Sequence, residues 1–193
     1  SYSASTTYYA GYYYYASESW PPPNGVSAAI YTIDKSVSGE NFYCQWPTVI
    51  LSYTNGYWIQ VGYFKGYHSG YQLKFYVEKK DSGGHQLWWK TSPTAGKTYG
   101  YYLFLPRGTT VWKAGVSGKF EQELQVSPFT ARDYQAFSEM TTKSINIDGT
   151  HFTSICYALG TDWRFWDRHV PGANSPYEVI EISHYEFKAR GGG

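Results

Sequence analysis

Short strand-like runs, separated by turn formers and never relieved by a long segment of 3.6-residue apolar period, constrain this chain more than any other feature. The runs occupy residues 27–33, 46–51, 57–64, 71–78, 86–90, 99–105, 110–116, 119–126, 144–147, 151–157 and 179–187. Between them stand Asn55 and Gly56, Ser69 and Gly70, Ser82 to Gly84, Pro106 to Gly108, Ser117 and Gly118, and Asp148 and Gly149. Many short strands with glycine turns predict an all-β protein, an antiparallel β-sandwich of jelly-roll or concanavalin-like form. One stretch, 131–140, reads instead as a helical turn.

At 193 residues the chain is long enough for one domain with a real core. Residues 1–24 form a Tyr/Ser-rich arm ended by Pro21, Pro22 and Pro23; 25–189 form the sandwich; 190–193 read as a flexible tail. Tyrosine-rich runs have high β propensity, so the arm is a candidate to pair with a sheet edge, including that of another copy. The 22 Tyr and 8 Trp suit half-buried strand faces that are apolar at one end and wet at the other. A net charge of +1, with only 16% charged residues, gives no electrostatic footprint for a nucleic acid. No apolar run reaches the length of a membrane span. The chain opens at Ser1 without a Met, the form expected of a processed, secreted protein. Cys44 and Cys156 are expected to form one disulfide across a long loop, the alternative being two free thiols.

Common catalytic signatures are absent. Gly66-Tyr67-His68-Ser69-Gly70 misses the nucleophile-elbow spacing, and there is no zinc-protease, phosphate-loop or dinucleotide motif. The five histidines show no metal-ligand spacing, so neither a metal nor a cofactor is expected. Among the carboxylates, Glu121, Glu123, Glu178, Glu181 and Glu186 fit solvated strand faces. Glu139 differs, since it follows Ala136 and Phe137 and precedes Met140. A carboxyl in apolar surroundings holds its proton more tightly, the tuning a general acid/base needs. The segment Thr161 to His169 reads as a loop packed by Trp163, Phe165 and Trp166 and closed by ion pairs, or as an aromatic platform for a sugar or peptide.

The stretch from Gly56 to Gly66, "GYWIQVGYFKG", is apolar and aromatic around one amide. Strand alternation puts Trp58, Gln60 and Gly62 on one face and Tyr57, Ile59, Val61 and Tyr63 on the other. Taken with "GVSAAIYTID", "QWPTVIL" and "YQLKFYVEKKDSGG", it resembles the core of the glutamic peptidases, the eqolisins and the plant neprosins. Gln60-Val61-Gly62 is similar to their third-strand motif, with Gln as in the eqolisins, and Phe137-Ser138-Glu139-Met140 is similar to their second catalytic element.

The resemblance implies a secreted endopeptidase acting under acidic conditions on a peptide or protein substrate. Gln60 and Glu139 would be its catalytic pair, and Trp58, Tyr71 and Tyr76 its substrate-binding residues. A second alignment puts Gln135 where the family has a Glu, which would leave the site without its base. Two other readings stay open: a structural or filament-forming extracellular subunit assembled from copies of itself through the N-terminal arm, and a carbohydrate-binding module.

Overall fold

The tyrosine run near the N-terminus shows how period-two patterning builds the protein. In the computed structural model, which describes residues 7–127 and 133–193, strand β1 spans Tyr8–Tyr14. Ala10, Tyr12 and Tyr14 enter the core, whereas Tyr9 and Tyr13 pack on the opposite face against a second, smaller apolar cluster. A strand that is apolar on both faces can be covered on both, and β1 sits inside a sheet rather than at its margin.

That sheet has seven strands in the order β13 (Val170–Ala173), β1, β10 (Asp133–Met140), β3 (Phe42–Ser52), β4 (Tyr57–Gly66), β5 (Lys74–Asp81) and β6 (Gly84–Trp89). The second runs β14 (Glu178–Ser183), β15 (Glu186–Arg190), β11 (Thr150–Leu159), β2 (Gly25–Tyr31), β7 (Thr98–Phe104), β8 (Val111–Val116) and β9 (Phe120–Gln125), with β12 (Asp162–Phe165) paired onto β11. All pairings among the described residues are antiparallel, so the molecule is the antiparallel β-sandwich the turn spacing predicts. Between the sheets lie Val49, Ile59, Val61, Tyr63, Phe75 and Val77 from one side, and Val26, Ile30, Leu103, Phe152 and Phe187 from the other. The β3–β4 hairpin turns at Gly56, whose φ of 66° favours a residue without a Cβ.

Several sequence expectations are corrected. Residues 133–140 of the supposed helical turn are β10, because every position from Asp133 to Met140 finds a partner on β3 and the apolar residues alternate across the sheet; positions 131 and 132 lie outside the described residues. The run 144–147 is not a strand, although Ile145 and Ile147 are buried in the core. Residues 179–187 make a hairpin, β14 and β15, rather than one strand.

The part of the arm from Tyr8 to Tyr14 is not free to reach another copy, since β1 pairs β10 along one edge and β13 along the other. The tail is docked too: Gly191 N–H donates to Asp148 Oδ1 at 2.9 Å and Gly193 N–H to the Lys143 carbonyl at 3.1 Å. The stretch after Thr161 supplies β12, then buries Trp166 at 1% exposure against Tyr14.

The cysteines form no disulfide; both are free thiols. Cys44 lies on the outward face of its sheet with Trp46, Phe64 and Phe137. Cys156 lies on the outward face of the other sheet, beside Ser27 and Trp163. Two packed sheets therefore separate them, about 10 Å apart by ordinary sandwich spacing, too far for an S–S bond. Among the described residues no helix is long and apolar enough to cross a membrane.

Candidate active site

Position in the sheet decides what each side chain can reach. On β4, Ile59, Val61 and Tyr63 enter the core, so Trp58, Gln60, Gly62 and Phe64 point outward. The same parity turns Cys44, Trp46, Thr48 and Ile50 outward on β3, Tyr76 and Glu78 on β5, and Gln135, Phe137 and Glu139 on β10. An outward face would ordinarily be wet. Here Gln60 is 6% exposed and Glu139 4%, because aromatic side chains from four strands roof the face over.

The two lie on one cavity of about 210 Å³, lined also by Tyr9, Tyr13, Trp46, Trp58, Gln135 and Phe137. That volume holds several water molecules, at roughly 30 Å³ of liquid each. The structure thus brings Gln60, Glu139 and Trp58 to one site. Across the strands, Gln60 stands opposite Thr48, and Thr48 opposite Gln135, so the glutamine of β10 shares its row. Glu139 lies four positions further along β10, opposite Cys44. Trp46 and Phe137 stand between the two ends of the cavity.

Gln60 is fixed at both ends of its amide. Tyr76 donates its hydroxyl to Gln60 Oε1 at 2.5 Å, and Gln60 Nε2 donates to Thr48 Oγ1 at 2.8 Å. An amide nitrogen carries two N–H groups, so this arrangement leaves the second one for a ligand in the cavity. Tyr76 reaches Gln60 by crossing above Gly62. A Cβ at Gly62 would sit 2.3 Å from the Gln45 carbonyl oxygen, 2.8 Å from Trp46 Cβ and 3.1 Å from the Tyr76 hydroxyl. The Gly of the Gln60-Val61-Gly62 motif is thereby explained: any side chain there would collide with β3 and block the tyrosine.

Glu139 sits in an apolar pocket with two donors to one oxygen. Trp46 Nε1–H donates to Oε1 at 3.1 Å and the Cys44 thiol to the same atom at 3.6 Å. Its other oxygen, Oε2, is buried and meets no hydrogen-bond partner among the described residues. Burial is the main cause that pushes the Glu139 carboxyl above the ordinary range, and the charge of Glu78 adds to it. Burial likewise holds the Cys44 thiol and the Tyr76 hydroxyl well above their ordinary values, so both stay protonated as donors.

Two of the residues expected to touch substrate have other places. Tyr76 is 2% exposed and works behind Gln60. Tyr71 stands apart from the cavity, on the turn after β4, with its hydroxyl donating to the Gly39 carbonyl at 2.7 Å. Sequence reasoning missed Trp46 and Cys44 as partners of Glu139. The signal was present in Cys44-Gln45-Trp46-Pro47-Thr48, whose alternate members share the Gln60 face, but only once β10, β3 and β4 are known to be neighbours. No group of three or more His, Cys, Asp or Glu among the described residues is placed to hold a metal ion.

The sandwich, with its roofed outward face, has the fold of the glutamic peptidases. Two solved structures carry that comparison. Scytalido-glutamic peptidase with a peptide-based transition-state analogue superposes with a TM-score of 0.68 over 97% of this chain and 98% of that one, at 11% identity. SCP-B, a member of the eqolisin family in complex with the tripeptide Ala-Ile-His, gives 0.68 over the same shares at 9% identity. No protein-family model and no curated protein matches the chain at the level of sequence.

Proposed function

We propose that this protein is a secreted peptidase acting at mildly acidic pH, with Gln60 and Glu139 as its catalytic residues. The observation that carries the proposal is the shared cavity, with a pre-aimed amide at one end and a buried, proton-hungry carboxyl at the other. The similar structures that hold a transition-state analogue and a tripeptide support a peptide as the occupant.

Ionised Glu139 takes a proton from a water as its oxygen bonds to the peptide carbonyl carbon. The carbonyl becomes an oxyanion, and the free N–H of Gln60 donates to it. Glu139 then returns the proton to the amide nitrogen as the C–N bond breaks, leaving an acid and an amine with the carboxylate restored. Trp46 and Cys44 steady the carboxylate form through their donated hydrogen bonds. Trp58, half-buried at the cavity, offers an apolar wall to a substrate side chain.

Gln60→Ala tests the assignment of the amide. Loss of one oxyanion donor should lower kcat by on the order of 100-fold while KM changes little. An equal loss confined to KM would make Gln60 a binding residue and not a catalytic one. Within the described residues, the Tyr8–Tyr14 part of the arm uses both of its edges inside the chain, which argues against assembly through that strand.

A further inference from the structure

Glu139 faces a second, smaller cavity on its other side. This space of about 20 Å³ is lined by Cys44, Phe64, Tyr76, Leu87, Trp89, Glu139 and one further carboxylate, Glu78. A polar cavity needs roughly 10–15 Å³ to hold one water molecule, so this one has room for a single water. Glu78 lies on β5 directly opposite Gln60, which makes it the glutamine's cross-strand neighbour on the same face. It is 6% exposed, and its Oε2 lies 2.6 Å from His85 Nε2 on β6. His85 in turn is about one-third exposed. From the buried carboxyl outward the order is Glu139, the cavity, Glu78, His85 and solvent.

We propose that Glu78, held by His85, is a positioning residue for Glu139: one water in the shared cavity links the two carboxyls, and protons reach the buried site along that line. The inference rests on the peptidase reading for its purpose, though not for its chemistry. Glu139 is enclosed by Trp46, Phe137 and Tyr9, and the oxygen that meets no partner among the described residues, Oε2, is the atom with capacity to accept from a water. A second negative charge beside it strengthens its hold on a proton, which makes it a better base toward the attacking water. His85 Nε2, 2.6 Å from Glu78 Oε2, holds that carboxyl in place on the cavity. Other titratable groups facing the pair are Tyr9 from β1, Cys44 from β3, and Lys74, Tyr76 and Lys80 from β5. The tyrosines and the thiol remain neutral donors through the acidic range.

The test is a carboxyl titration of the whole chain labelled with 13C at glutamate Cδ, followed by NMR from pH 3 to 8. Glu139→Gln and Glu78→Gln assign the two resonances. In the unaltered protein the Glu139 carboxyl should titrate in two steps, because it senses the charge of its neighbour. In Glu78→Gln, Glu139 should titrate in one step, moved to lower pH. A single-step Glu139 curve that Glu78→Gln leaves unmoved would overturn the proposal. Should Glu78→Gln not fold, the two-step curve of Glu139 in the unaltered protein decides the matter. Cleavage assays on the same samples separate the two ideas. Coupled titration in a protein that cuts no peptide keeps this inference and removes the peptidase reading; cleavage with uncoupled carboxyls does the reverse.

Discussion

Tyr76 donates its hydroxyl to the Gln60 side-chain oxygen at 2.5 Å, and this one contact decides which end of the amide faces the cavity. Tyr76→Phe should leave Gln60 Oε1 buried without its donor. Stability to urea should fall by about 1–3 kcal/mol. The freed amide can turn over, so kcat should fall by roughly 10-fold or more with KM nearly constant, since loss of a whole donor costs about 100-fold. Steady-state kinetics beside a urea titration separate the two effects.

Gly62 is the space through which that contact passes. Gly62→Ala places a Cβ within 2.3 Å of the Gln45 carbonyl oxygen, a backbone atom of a central strand that cannot rotate away. The expected cost is at least about 1–3 kcal/mol, the range for overpacked sites. Thermal unfolding followed by far-UV circular dichroism should show the drop. An unchanged midpoint would mean that β3 and β4 do not approach as closely as described.

Stability should depend on pH through Glu139 in a definite direction. Its folded-state pKa is raised, so the folded protein binds a proton more tightly than the unfolded chain. The group costs nothing at pH values below its unfolded pKa, and the cost of ionising it in the fold grows as pH rises from there through the raised value. Glu139→Gln, neutral at every pH, should therefore unfold at a higher temperature than the unaltered protein at pH 7, with the gap closing near pH 4. Scanning calorimetry at the two values checks the sign.

Both thiols should be free. Denaturation in the presence of a thiol reagent should count two reactive sulfurs, with Cys44 silent in the folded protein because it is buried. A reductant should leave the unfolding midpoint unchanged.

The legible part of this fold was the part written in local chemistry. The turn at Gly56 and the alternation of Ile59, Val61 and Tyr63 set β4 and put Gln60 on the face opposite to them without any structure; that this face is the outward one shows only in the packed core. β10 was not legible: Tyr134, Ala136, Phe137 and Met140 have helix-like spacing, and no Val, Ile or Thr marks a strand. Only pairing with β3 and β1 overrides that propensity. The Tyr8–Tyr14 run was legible as a strand former, but not as an interior strand of its own sheet. At the site, the apolar surroundings of Glu139 could be inferred from Phe137 and Met140. Its donors, Trp46 and Cys44, could not, since they arrive from a strand remote in sequence. Likewise, nothing local to Glu78 marks it as the cross-strand neighbour of Gln60.

The most direct measurement is cleavage of an acid-unfolded protein at mildly acidic pH by the purified chain, set beside its Glu139→Gln variant at equal concentration. Peptide products from the unaltered protein, and their loss in a variant that remains folded by circular dichroism, are the predicted result. Cleavage that survives Glu139→Gln would contradict the account, because no catalytic base would then be needed at the buried end of the cavity.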